Sequence, residues 1–267
     1  RMTVEILASD VMARLDEGRW HQEIESACGR VFDHPAVMRM GDHLKITLCE
    51  KPRYRVEVGA AQLCCSGEKL CGDAYDSFED GIGRLFVILS DGMGSGGRAA
   101  VDGAMASGLA TRLIQSGLGA DSVLRLVNSA LMVKSEDESL STLDIAAVDL
   151  FSGRLESLKA GAAASLLRSM GRVSRMEQAS LPIGILRDAA FARSHDTLVN
   201  GDIFLLMSDG VLTNGIGWVE EWLRDFDDRQ GGMNRLAEEI AAEARRRQQN
   251  EREDDITVIA LRVQKRK

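Results

Sequence analysis

The chain contains 267 residues, of which 45% are hydrophobic and 28% are charged, a composition typical of a soluble globular protein. A chain of this length can form one large domain with a small appendage. The net charge of −8 argues against a nucleic-acid-binding protein, which normally carries a basic face.

The N-terminal segment, residues 1–48, differs in its residue pattern from the rest of the chain. Six of its apolar residues recur at roughly helical spacing and predict a helix. They are Val4, Ile6, Leu7, Val11, Met12 and Leu15. Residues 43–49 alternate between apolar and polar side chains, which predicts a strand. We therefore predict a small α+β segment in front of the main domain, residues 49–267.

The main domain begins with an alternating strand over residues 54–63, and an apolar run over residues 84–90 then ends at an Asp-Gly turn. One helix is predicted from Gly96 and a second after Asp121, a residue suited to an N-cap. Later elements are strands over residues 142–150, 154–159, 164–168 and 202–208, helices over residues 218–226 and 233–247, and a last strand over residues 256–263. Hairpin-linked strands and grouped helices predict an α+β fold, with antiparallel sheets packed together and helices outside.

Acidic residues stand at the ends of several predicted strands. Ser-Asp-Gly ends two apolar runs, at residues 90–92 and 208–210, while Asp254-Asp255 precedes the last strand and Asp73 ends an earlier loop. A single Asp-Gly is usually a turn, but this recurrence gathers carboxylates that repel one another unless a cation or proton neutralises them. Oxygen ligands select hard ions such as Mg²⁺ or Mn²⁺. A pair of such ions can activate a water and neutralise phosphoryl oxygens, so we predict a divalent-metal centre that acts on phosphate esters.

Other polar motifs favour structural interpretations. The glycine-rich turn over residues 91–97 could bind a phosphate through backbone N–H groups, but it lacks the Lys-Ser/Thr pair of a P-loop and an aspartate disrupts a dinucleotide fingerprint. His195 falls on an alternating strand, which disfavours a general acid. Ser90 and Ser208 lack the G-x-S-x-G elbow of a serine nucleophile. The basic run at residues 245–247 ends a helix, where cations suit the helix dipole.

The cysteines favour a reducing compartment without a disulfide framework, because their number is odd and no signal peptide opens the chain. They are Cys28, Cys49, Cys64, Cys65 and Cys71. The last three lack paired C-x-x-C spacing and a neighbouring histidine, so we do not expect a zinc site.

In several stretches the chain resembles the phosphatase domain of the stage II sporulation protein E family, part of the protein phosphatase 2C superfamily. The order, flanking residues and spacing of the stretches all fit. They are CEKPRYRVEVGAAQ (49–62), CGDAY (71–75), LSDGMGSGGRA (89–99), STLDIAAVDL (141–150), LPIGIL (181–186), GDIFLLMSDG (201–210) and DDITVIALRV (254–263).

The resemblance implies a sandwich of two antiparallel β-sheets flanked by helices, with two Mn²⁺ or Mg²⁺ ions at one edge. Asp91 would bridge both ions and the Gly92 carbonyl would bind one of them. Asp209 and Asp254 would complete the second ion's site, with Asp254 preferred over its neighbour because it occupies the ligand position of the superfamily's closing motif. Asp73 matches the acidic residue that helps to hold the first ion.

The resemblance also implies a function: a metal-dependent serine/threonine phosphoprotein phosphatase whose substrate is a serine-phosphorylated anti-anti-sigma factor, acting to release a sporulation sigma factor. This chain would be the cytoplasmic part of a membrane protein whose membrane region lies upstream. Residues 1–48 match less well, and a regulatory or oligomerising role is assigned to them by analogy. The two helices between Gly96 and Val133 adjoin the proposed ligands and would act with that segment as a switch on the metal site. A homodimer could form through residues 1–48 or through these two helices.

Two alternatives remain at the level of sequence. One is a non-catalytic partner-binding domain that has kept the fold and lost its metals; the presence of every expected aspartate favours activity instead. The other is a general stress-response phosphatase of the same superfamily. The CEKPRYRVE entry (49–57) and the Ser-Asp-Gly-Met-Gly-Ser-Gly form of the glycine-rich turn fit the sporulation branch better.

Overall fold

The computed structural model describes residues 1–9, 17–68, 70–94, 96–134, 140–187, 190–227, 231–250 and 253–266. The chain forms two compact units, Arg1–Arg53 and Tyr54–Lys267. Among the described residues, no helix combines the length and the apolar character needed to cross a bilayer.

The N-terminal unit is a small α+β structure, as predicted. Strands β1 (Thr3–Ser9), β2 (Ala36–Met40) and β3 (His43–Cys49) form an antiparallel sheet in the order β1-β3-β2, and helix α1 (Glu17–Cys28) lies between β1 and β2 in sequence.

The helix predicted from Val4 onward is wrong over the residues that the structure describes. Val4 and Ile6 are two residues apart and both are half-buried, whereas the next apolar residue, Leu7, is exposed. This alternation is that of the strand β1, with a period of two rather than 3.6. The remaining positions of the predicted helix, Val11, Met12 and Leu15, lie outside the described residues.

The main unit contains ten described strands and four α-helices. The strands are β4 (Tyr54–Leu63), β5 (Asp73–Glu79), β6 (Arg84–Asp91), β7 (Leu143–Asp149), β8 (Arg154–Ala160), β9 (Ser165–Ser169), β10 (Arg172–Met176), β11 (Ala192–Thr197), β12 (Ile203–Met207) and β13 (Ile256–Lys265). The helices are α2 (Gly96–Gln115), α3 (Ala120–Lys134), α4 (Gly217–Asp225) and α5 (Met233–Arg247).

The strands form two five-stranded antiparallel sheets, in the orders β10-β9-β12-β13-β4 and β11-β8-β7-β6-β5. Side chains from both sheets, including Val87, Phe204 and Ile259, form a buried layer between them. Helices α4 and α5 cover the outer face of the first sheet, and α2 and α3 cover that of the second. The predicted sandwich of two antiparallel sheets flanked by helices is therefore confirmed. Burial on both faces explains why strands such as β12 are apolar at every position.

Strand register brings the ends of distant segments to one edge of the sandwich. Asp73 at the start of β5 pairs with Asp91 at the end of β6. In the other sheet, β12 ends where β13 begins, with Met207 opposite Val258. The chain segments that carry the predicted acidic residues therefore emerge at the same edge.

Candidate metal centre

Four aspartates are predicted to hold the metal ions: Asp73, Asp91, Asp209 and Asp254. Asp73 is the most buried of them, with 4% of its surface exposed. Its Oδ2 accepts a hydrogen bond of 2.6 Å from the Thr257 hydroxyl, and its carbonyl accepts one of 3.1 Å from the Gln62 amide. Its Oδ1 is buried and has no hydrogen-bond partner among the described residues. Since an unsatisfied buried carboxylate oxygen is costly, this atom is suited to a cation or to a water bound to one.

The backbone of Asp91 is held by two small polar residues that precede β7. The Asp91 N–H donates to the Thr142 hydroxyl at 3.0 Å. The Asp91 carbonyl accepts from the Thr142 N–H and the Ser141 hydroxyl, both at 2.8 Å. These three bonds leave the Asp91 carboxylate at the end of β6 on a fixed main chain.

Gly92 lies where no larger residue fits. A Cβ at this position would lie 1.9 Å from the Ala99 carbonyl oxygen of α2. The Gly92 N–H donates to the Gly72 carbonyl at 3.1 Å. The turn after Asp91 is therefore packed directly between the first turn of α2 and the residue before Asp73. Ser95, within the same glycine-rich turn, lies outside the described residues.

Asp209 opens a short 3-10 turn, Asp209–Leu212, after β12 and is exposed. The following Gly210 would place a Cβ 2.0 Å from the Asp255 carbonyl oxygen, so the turn lies against the segment that leads into β13. The fully buried Gln248 joins the two segments. Its amide donates to the Gly210 carbonyl at 2.7 Å and its oxygen accepts from the Asp254 N–H at 3.3 Å.

Asp254 and Asp255 differ in what they contact. The Asp255 carboxylate accepts backbone N–H bonds from Cys65 at 2.7 Å and from Gly72 at 2.5 Å, so it holds both ends of the β4–β5 connection. Asp254 is exposed and its Oδ1 accepts the N–H of Asp255. Asp255 therefore has a structural task in the β4–β5 connection.

The four carboxylates make one strongly acidic cluster. Burial, and the charges of Asp73, Asp209 and Asp254, raise the pKa of Asp91 to about 9. Burial, followed by the charges of Asp255 and Asp209, raises the pKa of Asp73 to about 7, although the Thr257 hydrogen bond opposes the shift. A group of carboxylates that disfavour one another's ionisation is what divalent cations neutralise. Together with the unpartnered Asp73 Oδ1, this donor set of oxygens fits hard divalent ions.

A small cavity of about 20 Å³ lies beside Asp91 and Asp209 and is also lined by Thr142 and Asp144. Its volume suffices for about one water. A larger groove of about 530 Å³ is lined by residues of α4 and α5 and includes none of the four aspartates. The larger of these two cavities is therefore not the one that adjoins the acidic cluster.

Sequence reasoning missed the residues that support the carboxylates. These are Ser141, Thr142, Gln248 and Thr257. Ser141 and Thr142 stand directly before an apolar strand, which is a weak signal for a role at a strand end. Gln248 directly follows α5 and carries no such signal, because its two partners belong to separate loops.

The other candidate motifs have structural roles in the described residues. The Ser90 hydroxyl is bound to Ser141 and Thr142, and the Ser208 hydroxyl accepts the Thr257 N–H, so neither is arranged as a nucleophile. His195 is an exposed residue of the edge strand β11, opposite Glu156.

The basic run at the end of α5 also binds neighbouring protein groups. The Arg245 guanidinium donates to the carbonyls of Leu63 and Cys64. Arg246 and Arg247 form ion pairs with Glu243. These contacts favour the structural interpretation of the run.

Comparison with known proteins gives a consistent result. The family model of stage II sporulation protein E matches residues 81–264. The stage II sporulation protein E of Bacillus subtilis (strain 168) is 29% identical over 216 residues, which is 79% of this chain and 26% of the relative. The chain thus spans about a quarter of that protein's length.

Solved structures have the same fold. A structure of the PP2C phosphatase domain with a fragment of the regulatory domain of SpoIIE from Bacillus subtilis covers 99% of this chain and 79% of its own, with a TM-score of 0.82 and 23% identity. The structure of RsbX in complex with magnesium covers 86% of this chain and 99% of its own, with a TM-score of 0.62 and 19% identity. At these identities the two likenesses establish the fold.

Proposed function

The chain belongs to the stage II sporulation protein E family and is a PP2C-type protein phosphatase domain, and from this premise we propose that its acidic cluster is the metal centre of a serine/threonine phosphoprotein phosphatase. The observation that supports the proposal most directly is the buried, unpartnered Oδ1 of Asp73, which stands opposite Asp91 across β5 and β6, and the raised carboxyl pKa values within the cluster agree with it. Such an arrangement is unfavourable without cations and becomes favourable with them.

In this proposal two Mn²⁺ or Mg²⁺ ions are held by Asp91, the Gly92 carbonyl, Asp209 and Asp254, with Asp73 supporting the first ion. When bound, such a pair supplies Lewis-acid activation of a water and neutralises the phosphoryl oxygens. The related RsbX was solved with magnesium, which is in keeping with a hard ion.

The protein's own residues act by positioning. The Ser141 and Thr142 hydrogen bonds keep the Asp91 carbonyl and N–H occupied, so its carboxylate is the group that would hold an ion. Gln248 keeps the Asp209 turn and the Asp254 segment together. Thr257 binds one oxygen of Asp73 and leaves the other available. A preorganised set of acceptors of this kind lowers the reorganisation needed during reaction.

The substrate that we propose is a serine-phosphorylated anti-anti-sigma factor, whose dephosphorylation would activate a sporulation sigma factor. The support is membership of the family, whose described members belong to sporulation. By the same argument we propose that the natural protein is longer, with a membrane region upstream and this part in the cytoplasm. Residues 1–48 would regulate or oligomerise the phosphatase, including a homodimer through that segment or through α2 and α3.

The function is tested by titrating Mn²⁺ and Mg²⁺ into the purified chain with a phosphoserine protein as substrate. We expect phosphate release that depends on the added ion and stops in excess chelator. Full turnover in excess chelator would exclude the metal centre. Metal binding without any turnover on phosphoserine or phosphothreonine proteins would favour the non-catalytic, partner-binding alternative.

The ligands are tested one at a time. Asp91→Asn, Asp209→Asn and Asp254→Asn should each remove most turnover, by roughly 100-fold or more, while the chain stays folded. Asp196→Asn is the matched control, because Asp196 is an exposed carboxylate on β11 that contacts only the next N–H among its described bonds. Asp255→Asn should reduce turnover less than Asp254→Asn. Equal losses at these two positions would show that the assignment of Asp254 alone is wrong.

A further inference from the structure

The connection between β4 and β5 folds back on itself and brings two thiols together. Cys64 follows the last residue of β4, and Cys71 stands two residues before β5. One ligand atom from each, and one carboxylate oxygen of Asp255, lie within 4.8 Å of one another. All five cysteines of the chain are free thiols.

We propose that Cys64, Cys71 and Asp255 form a separate binding site for one thiophilic divalent cation of the zinc class. Two sulfurs and one carboxylate oxygen are a donor set that zinc accepts, with a water in the fourth position. The donor set also separates this site from the all-oxygen centre, since thiolates select softer ions than Mg²⁺ or Mn²⁺. The site is independent of the proposed phosphatase function.

The carboxylate of this site is already oriented. Asp255 receives the Cys65 N–H on Oδ1 and the Gly72 N–H on Oδ2, so the loop that carries both cysteines is anchored on the third ligand. Hydrogen bonds of this kind orient a metal ligand without using all of its lone pairs. Arg245 further fixes the start of the loop by donating to the carbonyls of Leu63 and Cys64.

The spacing requires only a small contraction. Zinc–sulfur bonds of about 2.3 Å place two sulfurs of a tetrahedral site roughly 3.8 Å apart. The sulfurs lie within 4.8 Å of each other, so their separation has to close by at most about 1 Å. Cys64 is exposed, so its side chain can rotate toward the half-buried Cys71 without displacing packed groups.

The electrostatic surroundings also favour a cation. The Asp255 carboxylate lies within 4.8 Å of a ligand atom of each cysteine, and Asp73 follows Cys71 by two residues, so carboxylate charge lies close to the pair. A bound cation would offset the same carboxylate charges. It would tie the end of β4, the start of β5 and the approach to β13 at one point, two residues before Asp73. Sequence spacing could not predict this site, because the two cysteines are seven positions apart without a C-x-x-C pair.

The test uses Co²⁺ as a spectroscopic substitute for Zn²⁺, in excess Mg²⁺ so that the oxygen centre is occupied by the hard ion. The unaltered chain should take up one Co²⁺ with a thiolate-to-metal charge-transfer band, and one equivalent of Zn²⁺ should remove that band. Cys64→Ser and Cys71→Ser should each weaken Zn²⁺ binding by more than about tenfold. Cys65→Ser is the matched control and should bind as the unaltered chain does, because the Cys65 thiol is directed to the Glu253 carbonyl instead.

A second measurement on the unaltered chain avoids dependence on the folding of the variants. Zn²⁺ should protect Cys64 and Cys71, but not Cys65, from alkylation as located by mass spectrometry. The proposal is overturned if Co²⁺ binds without the thiolate band, if Cys65→Ser loses the band as the other variants do, or if the two thiols form a disulfide that excludes metal. Mn²⁺-dependent phosphatase activity is measured in parallel. Its absence alongside a normal thiolate band would contradict only the proposed phosphatase function.

Discussion

At the scale of single residues, charge repulsion within the acidic cluster governs how the metal-free protein behaves. Asp73 and Asp91 are paired across β5 and β6, and both have raised pKa values. Each therefore holds a proton in the folded chain at a pH at which the unfolded chain has lost it. That difference makes stability depend on pH.

We expect the metal-free protein to lose stability as the pH rises. Between the ordinary carboxyl pKa of 3.8 and the folded values of about 7 for Asp73 and about 9 for Asp91, the folded state binds more protons than the unfolded state. The free energy of unfolding changes with pH in proportion to protons bound by the unfolded state minus those bound by the folded state. This difference is negative here, so the free energy of unfolding falls as the pH rises. The stabilising contribution of the two carboxyl groups is complete below about pH 4 and is lost by about pH 9.

The measurement is urea unfolding in chelator at about pH 5 and about pH 8. Asp91→Asn should reduce the difference in free energy of unfolding between the two pH values and should stabilise the protein at the higher one. The exposed Asp196→Asn control should keep the difference seen in the unaltered chain. A pH dependence unchanged by Asp91→Asn would show that Asp91 is not the titrating group.

Two glycines offer a residue-scale test of the close approach at the site. Gly210→Ala would place a Cβ 2.0 Å from the Asp255 carbonyl oxygen, and we expect it to lower the free energy of unfolding by about 1–3 kcal/mol. Gly108, in the middle of α2, has no atom within 4 Å of its added Cβ. Gly108→Ala should raise stability by about 0.5–1 kcal/mol, since alanine favours the helix. Equal effects of the two changes in thermal or urea unfolding would contradict the packing of the Gly210 turn.

At the scale of elements, one buried lysine ties three strands together. The Lys159 ammonium on β8 is paired with the Asp144 carboxylate on β7 and donates to the Ser165 hydroxyl on β9 at 2.8 Å. It also donates to the Ala163 carbonyl at 2.7 Å, so its three protons are all used. Because β8 and β9 belong to different sheets, the bond from Lys159 to Ser165 joins the sheets close to the cavity beside Asp91.

Lys159→Met should lower the free energy of unfolding by about 3–5 kcal/mol, because it leaves the Asp144 carboxylate buried without its counterion. The double change Lys159→Met with Asp144→Leu should recover much of that loss. The exposed Arg175–Glu220 pair between β10 and α4 is the control, and Arg175→Met should cost less than about 1 kcal/mol. Urea unfolding of the four proteins provides the comparison. A loss for Lys159→Met as small as that for Arg175→Met would indicate that water reaches the buried pair.

At the scale of the whole molecule, the main unit contains a complete set of cores. The layer between the sheets and the two layers under the helices are built from residues after Arg53. We therefore expect a chain of residues 54–267 to unfold in one cooperative transition, measured by circular dichroism and urea. A loss of cooperativity would mean that the main unit needs the N-terminal unit in order to fold.

The same truncated chain tests the regulatory role proposed for the N-terminal segment. If that segment acts on the metal centre, the Mn²⁺ concentration for half-maximal activity should differ between the full and truncated chains. The longer α2 is the element through which such an effect would act, because its first turn packs on Gly92. An unchanged Mn²⁺ requirement and an unchanged maximal rate would contradict the regulatory role.

Local pattern alone determined most elements of the main unit. Apolar runs and alternation located β4, β6, β12 and β13, and apolar faces located α2 to α5, within a few residues of their observed bounds. These elements bury their apolar faces in one of the three core layers, so hydrophobic periodicity carries the information. Strands β1, β2, β5 and β10 were not predicted. They are short or mostly exposed edge strands, and their pairing comes from a neighbouring strand more than from their own side chains.

The sequence by itself also determined the inventory of the proposed centre, because Ser-Asp-Gly after an apolar strand and Asp-Asp before one are local signals. Only the tertiary structure decided how those residues are supported. Thr257 reaches Asp73 across 184 positions, and Asp255 holds a loop 183 positions away. The same long-range closure brings Cys64 and Cys71 to Asp255. Contacts of this kind depend on strand register and on which loops share a sheet edge, and neither quantity is a property of a short stretch of sequence.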